Sequence, residues 1–70
     1  MLQFLKYLAR YRALLFHIDL LEQAAENLQG DLQTEMRTYV QRQLVTKDWL
    51  KREITSMGRE MRIDENDLQL

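Results

Sequence analysis

One histidine, one serine and no cysteine leave this 70-residue chain little from which to build a reaction centre. His17 lies between Phe16 and Ile18, on the same helical side as Lys6 and Arg10. As a general base it would need a carboxylate or a nucleophile poised against it, and no spacing supplies one. It reads instead as a residue at the boundary of a helix-packing face. Glu22 and Glu26 share a helix face at i, i+4. Di-metal sites in helical bundles draw carboxylates from several helices plus a Glu-x-x-His motif, which this chain lacks, so the pair reads as a solvated acidic face. Asp64-x-Asn66 matches only the opening of a calcium loop, without the required glycine and terminal glutamate. No metal site, no cofactor and no catalytic residue are expected, and the chain reads as a non-enzyme.

The remaining chemistry is electrostatic. Arg37, Lys51, Arg52 and Arg59, joined by Arg62, spread over one broad side of the second half, with Tyr39 and Trp49 nearby in sequence. Such a set could grip the phosphates of folded RNA or DNA, and a two-fold dimer would double it. Interspersed acidic residues and a net charge of −1 weigh against nucleic acid as the main partner. Charge also alternates in blocks: residues 1–18 carry +3, 19–35 carry −5, 36–59 carry +4 and 60–70 carry −3.

The elements that would position these groups are helices. Proline is absent, glycine occurs only at Gly30 and Gly58, and strong helix formers dominate. The fold class is all-α. Tyr7, Tyr11, Leu14, Ile18, Leu21, Ala25, Leu28 and Leu32 recur at alternating spacings of four and three. That seven-residue repeat keeps one seam of a helix against a partner helix. A first helix is expected from about residue 2 to residue 29, with Gly30 ending it and Asp31 capping the next; the competing reading is one continuous helix through Gly30, since the repeat reaches Leu32 in phase. In the second half, Met36, Tyr39, Val40, Leu50, Ile54, Met57 and Met61 share a sector that Gln43 and Lys47 interrupt. Thr46 is a candidate cap for a fresh helix there, with Asp48 and Arg52 as an i, i+4 pair behind it. Gly58 is a second candidate helix end. The architecture expected is an antiparallel helical hairpin, or three helices if the chain breaks near Thr46. Residues 1–60 form one helical domain, and 61–70 an acidic, frayed tail.

The first helix has more apolar residues than one seam needs. Leu2, Leu5, Ala9, Phe16, Leu20 and Ala24 cluster opposite the repeat. A helix apolar on two sides is usually buried on two sides, and an uncovered patch on a soluble protein marks an interface. A chain this short buries only about 60 % of its unfolded surface, so a lone core is marginal. With no cysteine for disulfides, oligomerisation is the expected reinforcement, as a homodimeric helical bundle with the first helix at its centre. Leu5, Tyr7, Tyr11, Leu14, Phe16, Ile18, Leu20, Leu21 and Leu28 are the residues expected at the self-association or partner interface. No apolar run reaches the length of a membrane span, and a cytoplasmic location is expected. The layout of a long helix, a turn near residue 30 and a second helix with an acidic tail is similar to small dimeric RNA-binding hairpins of plasmid origin. That likeness is architectural and carries no functional residue across. The function expected is binding of another protein, as a regulator, adaptor or chaperone-like subunit. Binding of RNA or DNA through the basic side is the alternative.

Overall fold

The computed structural model describes residues 2–68 and Leu70; Met1 and Gln69, within the expected domain and tail, lie outside the described residues. The described residues are helical wherever they are regular. Helix α1 spans Leu2–Glu26, α2 spans Gly30–Glu60 and α3 spans Glu65–Leu68. The two long helices pack together along the seven-residue repeat. Tyr11, Ile18 and Ala25 are buried, and Tyr7, Leu14, Leu21 and Leu28 are half-buried; Phe4 extends the same series by one turn. Leu32 is the exception, being 62 % exposed. The chain turns before reaching it, so Leu32 belongs to α2 and falls off its packing face.

The turn sits near Gly30, but α1 ends at Glu26, three residues earlier than its composition suggests. Its last carbonyls are satisfied locally by Asn27 and Leu28, whose backbone N–H groups donate to Ala24 and Ala25. The Gln33 side chain also donates to the Ala25 carbonyl at 2.9 Å, tying the start of α2 to the end of α1. Gly30 does not end α1. It opens α2 with φ +64°, a left-handed conformation that a Cβ penalises. Asp31 is not the cap either: it lies in the first turn of α2, where its charge meets the helix dipole, and Gln29 holds the cap position without a side-chain bond.

Helix α2 runs unbroken through Thr46, which corrects the expected break. The Thr46 hydroxyl does not cap a new helix; it donates back to the Arg42 carbonyl at 3.3 Å, as Thr38 does to Thr34. The polar interruption is absorbed by the seam itself. Met36, Val40, Gln43, Lys47, Leu50, Ile54, Met57 and Met61 are all buried or half-buried at alternating spacings of four and three. Gln43 and Lys47 are half-buried in it, an arrangement a side chain with an apolar stem and a polar end allows. Among the described residues the only ion pair joins Arg59 and Glu65, so the expected Asp48–Arg52 pair does not form.

Gly58 does not end α2 either. It is buried two residues before the helix end, and Leu68 sits on it: a Cβ there would stand 3.1 Å from Leu68 Cδ1. The missing side chain is what lets the C-terminal segment approach. Helix α2 ends at Glu60, with Met61 as its cap, and the chain reverses at Arg62, whose φ of 61° is left-handed. The N–H of Ile63 donates to the Gly58 carbonyl at 2.8 Å and that of Arg62 to the Arg59 carbonyl at 3.0 Å. This pair of bonds is a Schellman C-cap with arginine where glycine is usual. Arg62→Gly is therefore expected to raise Tm by several degrees, from a gain of about 1 kcal/mol. Gly30→Ala is expected to lower it by a similar amount, and thermal unfolding by circular dichroism reads both.

In the segment expected to fray, residues 61–68 and Leu70 are placed against the long helices. After the Arg62 turn, the Asp64 carboxylate accepts the Asn66 backbone N–H at 3.0 Å and caps α3. Leu68 is buried in a cluster with Phe4, Tyr11, Leu50 and Ile54, against which Met57, Met61, Ile63 and Leu70 pack. The core is thus thickest at the end of the molecule away from the connection.

Candidate interaction surface

Three pairs mark how α1 and α2 meet. Gln33 reaches Ala25 beside the connection; further out, His17 stands edge-on to Tyr39 with ring centroids 6.3 Å apart, and Tyr7 is tilted against Trp49 at 5.8 Å. His17 is therefore an aromatic neighbour at the helix boundary, exposed and without a carboxylate among its hydrogen-bond partners. Among the described residues no group of three His, Asp or Glu could hold a metal ion, and no helix is long and apolar enough to cross a membrane.

The residues expected at a partner interface divide in two. Tyr7, Tyr11, Leu14, Ile18, Leu21 and Leu28 are turned into the packing within the chain, buried or half-buried. Within the chain, α2 packs along the seam they form. Leu5, Phe16 and Leu20 remain in solvent, at 51 %, 66 % and 48 % exposure, together with Leu2 at 68 %. Among the described residues nothing covers this outer face: α2 lies on the opposite side, and α3 packs at Gly58. Because α2 is continuous through Thr46, no separate third helix is formed there to pack on this face.

The outer face is more regular than its large residues suggest. Leu2, Leu5, Ala9, Ala13, Phe16, Leu20 and Ala24 follow spacings of three, four and four, an eleven-residue repeat. All are exposed. Such a repeat averages about 3.67 residues per turn, close to that of a straight α-helix, so the stripe stays on one side from end to end. Ala13 is the member that a search for large apolar residues misses; the repeat itself is the signal. Because α1 is apolar on two opposite sides, the two nearly cancel in its net amphipathicity, whereas α2 has a single apolar stripe.

The molecule is a rod of 47 × 19 × 15 Å with a Cα radius of gyration of 14.7 Å, against about 11 Å for a compact domain of its length. It exposes 5485 Å². A compact monomer of 8.5 kDa would expose about 4,700 Å². The excess of about 800 Å² follows from this elongation and is spread over the whole rod.

The basic set also divides. Lys51, Arg52 and Arg59 line one open depression of about 440 Å³ with Thr55, Ser56 and Glu65. Arg59 is engaged there by Glu65 at 3.0 Å, an exposed pair that adds little to stability. Arg37 is not part of it, lying about 21 Å away along the rise of α2. Tyr39 and Trp49 do not line it either, so the basic-plus-aromatic pattern seen in sequence is split between two places.

No family model matches the chain, and no match was found among characterised proteins or solved structures.

Proposed function

We propose that this chain is a non-enzymatic interaction protein of the cytoplasm, an antiparallel helical hairpin that acts by presenting the outer face of α1 to another polypeptide. A regulator, adaptor or chaperone-like subunit built into a dimeric bundle fits this description. The observation that carries the reading is the uncovered eleven-residue stripe, on which Leu2, Leu5, Phe16 and Leu20 all stand in water. Exposing large apolar side chains in register over a whole helix is costly unless something covers them.

The test is a photoreactive phenylalanine analogue placed at position 16 in the native cells. A discrete covalent adduct with a polypeptide, missing when the analogue replaces exposed Gln41 on α2, is the expected result. Absence of any adduct at position 16 would sink the reading.

A second reading, as an RNA- or DNA-binding regulator, rests on Lys51, Arg52 and Arg59 converging beside the hydroxyls of Thr55 and Ser56. Its signature would be affinity for a polyanion that falls steeply between about 50 and about 200 mM salt and drops further in Arg52→Glu.

A further inference from the structure

Three properties of the outer face single out its occupant. The first is extent: the exposed stripe runs from Leu2 to Ala24, about 33 Å along the helix, the length of a helix–helix interface. The second is self-complementarity. When α1 is laid antiparallel on a copy of itself about an axis at Ala13, each outer residue meets another: Leu5 faces the partner's Leu20, Ala9 the partner's Phe16, and Leu2 the partner's Ala24. The bulk of Phe16 then enters the space left by Ala9, a knob over a small residue, and the two Ala13 residues let the helices approach at the centre.

The third property is charge. Residues 19–35, at the connection end, carry −5, while residues 1–18, 36–59 and 60–70, extending to the other end, carry +3, +4 and −3, a net +4. Antiparallel copies set an acidic end beside a basic one, whereas parallel copies would set like charges together. The register does bring the two Arg12 residues to the same side of the axis. Both are exposed, so solvent and salt screen their repulsion.

We propose that the outer face of α1 binds a second copy of this chain as an antiparallel, two-fold pair centred on Ala13. This rests on the reading of that face as a protein-binding surface, and names the protein. The interface is isologous, with every contact made twice.

The chain has no cysteine, so introduced ones report without background. Ala13→Cys is expected to form a disulfide-linked dimer on mild oxidation. A mixture of Leu5→Cys and Leu20→Cys is expected to cross-link as a heterodimer, while Leu5→Cys alone does not. Light scattering of the unmodified chain should show a dimer that dissociates only on dilution. Self-linking of Leu5→Cys would mean a parallel pair and overturn the proposal. A monomer at every concentration, with no cross-link at Ala13→Cys, would also overturn it. In that event, an adduct of the position-16 analogue with a foreign polypeptide would keep the protein-binding reading, whereas no adduct would remove both.

Discussion

Ile54→Ala is expected to cost about 2–5 kcal/mol, the largest stability loss of any single substitution proposed for this chain. Ile54 is fully buried, at 0 % exposure, in the cluster that joins α1, α2 and α3. Three methyl-sized groups would be lost where Phe4, Tyr11, Leu50 and Leu68 already close the site, and helices fixed by their own hydrogen bonds cannot collapse to refill it. A 70-residue domain has in total about 3.5–10 kcal/mol of stability. The variant is therefore expected to lose much of its urea midpoint with an unchanged slope, followed by helix signal in circular dichroism. A cost below about 1 kcal/mol would mean that this end of the molecule is loosely packed and that Leu68 does not close it.

Phe16→Glu is expected to do the opposite: leave the chain folded and abolish association. Phe16 is exposed, lies on the face away from α2, and touches none of the core cluster. Glutamate is a strong helix former, so α1 itself loses little. At an interface, however, the substitution removes a large aromatic anchor and buries a charge in its place. In a two-fold pair both copies carry the change. A loss of about 3 kcal/mol in association would weaken the dimer by a factor of more than about 100. Sedimentation or light scattering reads the mass, and circular dichroism at the same concentrations confirms that helicity is kept. Loss of helicity together with mass would assign Phe16 to folding. Retention of the dimer would remove the outer face from the interface. The contrast between Ile54 and Phe16 separates the two apolar sides of this protein, one that makes the fold and one that the fold leaves unsatisfied.

Both sides of α1 are legible in the chain because periodicity is local. A repeat of seven and a repeat of eleven on one helix declare two faces wherever the helix sits, and nothing distant has to be known to read them. The turn near Gly30 is legible for the same reason, since a glycine next to an aspartate interrupts a strong helix-forming run. Its boundary is less so: the end of α1 is met by the Gln33 side chain at the Ala25 carbonyl, a bond made only after the chain has folded back. The continuity of α2 through Thr46 also escapes a local reading. Threonine and aspartate favour a cap when nothing else holds the backbone, but here the apolar residues before and after Gln43 and Lys47 pack on one α1, and that shared support keeps the helix whole.

The C-terminal ten residues mark the limit most clearly. Their acidic composition favours solvent, yet Leu68 is held by Gly58, ten positions earlier, and by Phe4 and Tyr11 at the other end of the chain. The basic residues behave alike: Lys51, Arg52 and Arg59 converge and Glu65 folds onto Arg59, whereas Arg37 stays apart. The sequence alone determined the helical class, the two faces of α1 and the shortage of groups for catalysis, since these follow from residue types and near-neighbour spacing. Only the tertiary structure decided which face α2 occupies, where the tail docks and which apolar stripe is left in water. Those outcomes depend on contacts between residues far apart in the chain, whose free energy exists only once the backbone has closed the loop between them.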